Sequence, residues 1–202
     1  MKSLTALLLL PALAFAAPTL DTRAGPQIQV SSIVASGPGC PQGSFSADIN
    51  DDGTVITFGF DSYQTQVGSG VSGSEREKNC DIFLGLRYPL GCTSAVISTT
   101  YHGFAQLENG VSGGFPATYS LSPGSISGNP PETTFSSSQW SNGGVYTKQD
   151  SILTTATINS PSQQNVNFEL RTRIRLNGAN SNLAGVLTSD DATIAITQVK
   201  QC

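Results

Sequence analysis

Hydrophobic positions along this chain recur with a period of two. The clearest stretch is Val166 to Leu176, where Val166, Phe168, Leu170, Ile174 and Leu176 are separated by Asn167, Glu169, Arg171, Arg173 and Arg175. Successive side chains of a strand point to opposite faces, so this run predicts a half-buried strand with one dry face and one wet one. Cys80 to Tyr88 repeats the pattern, with Ile82, Leu84, Leu86 and Tyr88 on one side and Phe83 and Arg87 on the other, until Pro89 ends it. Ala95 to Leu107 sets Ile97, Tyr101 and Leu107 against Val96 and Phe104, which predicts a long strand bent near Gly103. Further strands are predicted over Ile28 to Val34, Phe45 to Ile49, Thr54 to Phe60, Val145 to Tyr146, Ile152 to Ile158 and Ala192 to Val199.

Between the second and third of these further strands stands Asn50-Asp51-Asp52-Gly53, and an Asp-Gly pair between β-rich runs predicts a hairpin. Val67 to Lys78 is rich in Gly and Ser and then charged, which predicts an exposed loop. Gly113-Gly114, Pro116, Pro123-Gly124 and Gly128-Asn129-Pro130-Pro131 leave room only for short strands or extended chain among them. About ten short strands, turn signals between them and no helical periodicity predict an all-β fold. The expected architecture is a single antiparallel β-sandwich, jelly-roll-like, over residues 28–202.

The amino terminus follows a different rule. One Lys at position 2, an apolar run from Leu4 to Phe15 and then Ala14-Phe15-Ala16 read as a signal peptide over residues 1–16. The run is shorter than the ~20 residues that span a bilayer, so no membrane anchor is expected. Residues 17–27 read as a flexible lead-in. The protein is therefore expected to be secreted, extracellular or cell-wall associated.

Composition supports that compartment. Only 12% of the chain is charged, while Ser, Thr, Gly and Asn abound, as in extracellular β-proteins. Loss of Lys2 with the signal peptide takes the formal charge from −4 to −5, nine Lys and Arg against fourteen Asp and Glu. A mildly acidic chain argues against a nucleic-acid partner or an anionic membrane surface, and a monomer is expected.

Four cysteines, Cys40, Cys80, Cys92 and Cys202, make an even count, which in a secreted chain implies two disulfides. Three pairings can be drawn. Cys40–Cys80 with Cys92–Cys202 is favoured, because the second bridge would tie the last strand to the body. With no C-x-x-C pair and His102 as the single histidine, no zinc site and no cofactor is expected.

Several of these segments carry a family resemblance. Ser36-Gly37-Pro38-Gly39-Cys40-Pro41-Gln42-Gly43-Ser44, Asp52-Gly53 leading into Ile56 to Phe60, Lys78-Asn79-Cys80, Tyr88-Pro89-Leu90-Gly91 and Tyr101-His102-Gly103-Phe104 occur in this order. Together they resemble the secreted, mostly fungal proteins catalogued as domain of unknown function 4360. The resemblance implies secretion and a β-rich fold and supplies no catalytic residue. Cys40 and Cys80 lie within its motifs; Cys92 and Cys202 depart from it, as does Ser162 after Ser160-Pro161, where members often carry a cysteine.

Candidate chemistry is sparse. A Ser-His-Asp arrangement would have to use His102, which reads as a strand histidine, and no G-x-S-x-G elbow is present. Asp48, Asp61, Asp81, Glu108, Asp150 and Glu169 are the carboxylates from which a glycoside hydrolase would draw its pair. Asp48-Ile49-Asn50-Asp51-Asp52-Gly53 begins like a calcium loop, but the closing acid would fall on Gly59, so the hairpin turn is preferred. Arg171, Arg173 and Arg175 share one strand face, which could hold an anionic polymer or could be an ordinary solvated face. Trp140, the sole tryptophan, lies among Ser, Asn and Gly, where it could stack on a sugar or cover one end of the sandwich. These four residues are the candidate ligand-binding positions, and no catalytic or metal-binding residue is assigned. The leading expectation is a secreted, non-enzymatic protein that binds a cell-wall polysaccharide or another extracellular ligand. A secreted hydrolase with an unrecognised carboxylate pair and an effector or inhibitor that docks on a host or other extracellular protein are the alternatives.

Overall fold

A computed structural model describes residues 27–180 and 182–201. The expected signal peptide, nearly all of the lead-in, and Cys202 lie outside the described residues. The fold is all-β, two antiparallel sheets packed face to face, as the alternation requires.

Among the described residues fourteen strands follow one another: β1 Gln29–Ser36, β2 Phe45–Ile49, β3 Val55–Phe60, β4 Gln64–Val67, β5 Glu77–Arg87, β6 Gly91–Leu107, β7 Val111–Phe115, β8 Ala117–Ser122, β9 Ser125–Ile126, β10 Thr133–Ser136, β11 Gly144–Ile158, β12 Asn165–Gly178, β13 Gly185–Thr188 and β14 Asp191–Gln201. A single turn of helix, α1, covers Ser137–Trp140. The expectation of about ten short strands needs correction, since β6 runs 17 residues, β11 15 and β12 14. Val145–Tyr146 and Ile152–Ile158 are one strand because the polar residues between them keep the same inward and outward alternation. Val67 to Lys78 is also not all loop: Val67 is buried at the end of β4, and β5 starts at Glu77.

The first sheet runs β1-β5-β12-β7-β10, with β8 also paired to β12. β7 and β8 lie along β12 in one register, Arg175 opposite Gly114 and Thr172 opposite Ala117, so they form a single line interrupted at Pro116. Proline has no N–H to give the ladder, which accounts for the break. The second sheet runs β2-β3-β14-β6-β11-β9, with β13 between β4 and β6.

The bend expected near Gly103 has a concrete origin. Up to His102, β6 pairs with β14, and from Ala105 onward it pairs with β13, the register slipping by one residue through Ser189–Asp190. The chain crossing there donates Asp190 N–H to the His102 carbonyl (2.8 Å), and the Thr188 hydroxyl accepts from Phe104 N–H (2.9 Å). A side chain at Gly103 would overlap the Thr188 carbonyl and the Tyr146 hydroxyl, so only glycine lets the two backbones approach.

Inward-facing residues of both sheets make one core, among them Phe58, Tyr88, Ile97, Tyr101, Phe115, Phe168, Leu170 and Ile194. Tyrosine hydroxyls link the sheets across it. Tyr63 donates to the Thr172 hydroxyl (2.9 Å), Tyr88 lies 3.2 Å from that of Thr154, and Tyr101 meets Tyr119 at 3.0 Å. One disulfide is seen among the described residues rather than the expected two. It is Cys40–Cys80, with Cα atoms 5.4 Å apart; the expected partner of Cys92 is Cys202, outside the described residues. Around the bridge the Ser36–Ser44 loop is pinned by Gly39 N–H donating to the Asn79 carbonyl (2.8 Å), and Gly39 packs so close to the Tyr63 ring that a side chain would not fit.

All five tyrosines, Tyr63, Tyr88, Tyr101, Tyr119 and Tyr146, are buried, and burial raises each phenol above its ordinary value of 10.0. A group raised in the folded state contributes stability that is intact below its unfolded value and lost as pH climbs above it. Phenolate absorbance is therefore expected to stay silent through the ordinary tyrosine range and to appear in one step, together with loss of the β circular-dichroism signal. Gradual titration of the folded protein near the ordinary value would contradict this.

Candidate functional site

The Asp48–Gly53 segment is a hairpin turn between β2 and β3, whose register runs from Phe45 opposite Phe60 to Ile49 opposite Ile56. Two of its side chains are spent on the chain itself: Asn50 accepts from the N–H groups of Thr54 and Val55, both at 2.9 Å, and Asp52 accepts from the Thr54 hydroxyl (2.5 Å) and N–H (3.1 Å). The hydroxyl contact, more than any other, holds the Asp52 carboxyl below its ordinary value.

Arg171, Arg173 and Arg175 project from the outer face of β12, as the alternation predicts, and each meets a carboxylate. Arg171 donates to Glu169 (2.7 Å), Arg175 to both oxygens of Glu132 (2.8 Å), and Arg173 lies 3.5 Å from Glu77. With Asp81 opposite Arg171, this face sets three guanidiniums against four carboxylates, which is a poor field for holding a polyanion. A cleft of about 410 Å³ lies over it, lined by Asn79, Asp81, Thr118, Arg171 and Arg173.

Trp140 ends α1 and is half buried. Its ring packs 5.7 Å from Phe135 and 6.3 Å from Tyr146. Phe135 and Tyr146 themselves meet edge to face at 4.8 Å. His102 is exposed on the outer face of the second sheet, its Nδ1 2.7 Å from Asp191, its cross-strand neighbour.

A second cleft, of about 440 Å³, lies on the outer face where β4, β13 and β6 run side by side. Val186 faces Gln66 on one flank and Gln106 on the other, so three strands carry a Gln-Val-Gln row across the floor. Gln64, one pleat along β4, extends it, and Ser141, in the turn after α1, forms the facing rim. Among the described residues the side chains of Gln64, Gln66 and Gln106 make no hydrogen bond. Each amide therefore offers its carbonyl and both N–H donors to the cleft. Glu108 is committed instead, accepting from Ala184 N–H at 2.7 Å. Val67, Ala184 and Gly185 supply an apolar base. The volume lies in the range of small-ligand sites, and the lining is uncharged apart from Glu108.

None of these glutamines stood out in the sequence. Gln64-Thr65-Gln66-Val67 is a strand whose inward residues are Thr65 and Val67, too short and too polar to show periodicity, and β13 is equally brief. The one signal available was the parity of Gln106 with Phe104 on the outward side of β6.

Glycosidases need two carboxylates about 5 to 9.5 Å apart. The two clefts above contain one each, Glu108 and Asp81, and two smaller ones contain Asp52 and Glu169 respectively.

The model of the family described as Domain of unknown function (DUF4360) matches residues 26–202. An "Uncharacterized secreted protein" of Arthroderma benhamiae is 33% identical over 176 residues, 86% of this chain and 69% of its own length. Among solved structures, that of TmCBM61 in complex with beta-1,4-galactotriose is similar with a TM-score of 0.23 and 9% identity, covering 83% of this chain and 90% of that one. So remote a likeness carries no argument about ligands.

Proposed function

The chain belongs to the DUF4360 family, and from that premise we propose that it is a secreted, non-enzymatic protein that binds a neutral wall polysaccharide in the Gln64–Gln66–Gln106 cleft. The observation that carries this reading is the set of three unengaged glutamine amides on one floor beside an apolar strip. Sugars present vicinal hydroxyls, each both donor and acceptor, and a primary amide can answer two of them with one donor and one acceptor. The C–H face of a pyranose ring suits the Val186 side chain beside Ala184 and Gly185. Because the only acid in the lining is already hydrogen-bonded, nothing there selects a charged ligand. Secretion is supported by the relative's description, by the signal-like residues 1–16 and by the Cys40–Cys80 bridge, which suits an oxidising compartment.

The test is sedimentation of the purified protein with insoluble chitin, β-glucan and mannan, followed by titration with the matching soluble oligosaccharide. Binding to one polymer is expected, with Gln66→Ala and Gln106→Ala each weakening it about tenfold, the worth of one to two hydrogen bonds. Both positions are on the outer face, so thermal stability should not change. Failure to sediment with all three polymers would sink the proposal.

A further inference from the structure

The outward positions of β11 are ordinary, but two of its inward ones are not. Tyr146, Ile152, Thr154, Ala156 and Ile158 point into the core, and so do Lys148 and Asp150, two residues apart on the same face. The Lys148 side chain is 1% exposed and that of Asp150 4%, and the two form an ion pair. Asp150 is the one ion-pair partner of the Lys148 ammonium, and no other acceptor hydrogen-bonds Nζ among the described residues. The remaining surroundings are aromatic: Nζ lies 5.2 Å from the centre of the Tyr101 ring and 5.6 Å from that of Phe115. On the far side of the carboxyl, the Tyr119 hydroxyl donates to Oδ2 at 2.7 Å, and the Tyr101 hydroxyl stands 3.0 Å behind it.

An ammonium with three donors and one partner, sealed from water, is an expensive way to hold a core together. Removing both charges would relieve the desolvation that each ion suffers in the core. The cleft proposed for sugar does not use this pair, and neither does any exposed surface.

We propose that Lys148 and Asp150 are joined by an intramolecular isopeptide bond between Nζ and Cγ, formed in the folded core with loss of one water. Proton transfer within the ion pair converts ammonium and carboxylate into amine and carboxylic acid. The amine lone pair attacks Cγ, and the Tyr119 O–H, already aimed at Oδ2, stabilises the negative charge that develops on that oxygen. Oδ1 leaves as water, carrying the acid proton and one proton from Nζ. Re-formation of the Cγ–Oδ2 double bond then gives a neutral amide that keeps the one N–H left on nitrogen. No oxidant or cofactor enters the balance.

The environment favours each requirement. Burial lowers the Lys148 pKa, which favours the nucleophilic amine, and burial raises the Tyr119 phenol, which keeps its proton available for donation. The strand holds the two side chains on one face, so the reacting atoms meet without a search.

The test is peptide mass spectrometry of the secreted full chain after denaturation, reduction and trypsin digestion. The expected result is a peptide that runs uncut through Lys148 and is one water lighter than its sequence. A peptide of full mass cut after Lys148 would overturn the proposal. So would a peptide that has lost water yet is still cut after Lys148, because that places the dehydration at Asp150 and Ser151 alone. Lys148→Met is expected to restore full mass across residues 147–151, and water loss persisting in that variant would also overturn it.

Discussion

Asp150→Ala is expected to lower the unfolding free energy by about 3–5 kcal/mol, because, whether the parent holds the two side chains as an ion pair or as an amide, the variant leaves the buried Lys148 ammonium without a partner. The variant strands Lys148 between the Tyr101 and Phe115 rings with nothing to neutralise it, and it removes the acceptor for the Tyr119 hydroxyl. Both losses fall in the middle of the sandwich, where water cannot compensate. A double variant, Lys148→Met with Asp150→Leu, is expected to recover most of the loss, because an apolar pair of similar volume suits the surrounding rings. Urea unfolding measures both: the midpoint should drop in the single variant and return in the double one, with an unchanged slope. A single variant within about 1 kcal/mol of the parent would show that the pair contributes nothing of this kind.

The second large effect belongs to the disulfide. Replacing Cys40 and Cys80 together by serine is expected to cost about 4 kcal/mol on the chain-entropy account, since the bridge closes a loop of 40 residues in sequence. The native geometry around it does not depend on the bond alone. Gly39 still bonds to the Asn79 carbonyl, and Cys40 N–H donates to the Gly37 carbonyl at 3.1 Å. The double variant should therefore keep its β spectrum while melting at a lower temperature. A melting temperature that does not move would mean that the unfolded chain is already constrained by other contacts.

Which parts of this arrangement could be read beforehand follows from how burial writes itself into sequence. Val166 to Leu176 and Ile82 to Tyr88 are legible because their inward positions are nearly all apolar at a strict period of two, whatever stands between them. Leu170 and Leu84 are indeed buried, while Phe83 is 40% exposed. β11 was read as two pieces because Lys148 and Asp150 interrupt its apolar parity. Extending the parity of Ile152 back to Tyr146 would have placed both charges in the core. The cleft was illegible for the opposite reason. Gln64, Gln66 and Gln106 are outward residues on strands whose pairing is set far along the chain, and outward polar residues look alike wherever they stand. What brings them together is the register of β13 between β4 and β6, a property of residues more than 75 positions apart that no local pattern encodes. Trp140 stands out in the sequence as the sole tryptophan, but the Phe135 and Tyr146 rings that hold it come from separate strands.

The position of β14 has a consequence for synthesis. This last of the described strands lies between β3 and β6, inside the second sheet and not at its margin. Until residues 191–201 leave the ribosome, β3 and β6 have no neighbour to join them, and the halves of that sheet cannot assemble. The second sheet can therefore be completed only once residues 191–201 have been made. A product truncated before Asp191 would lack the centre of that sheet rather than its fringe.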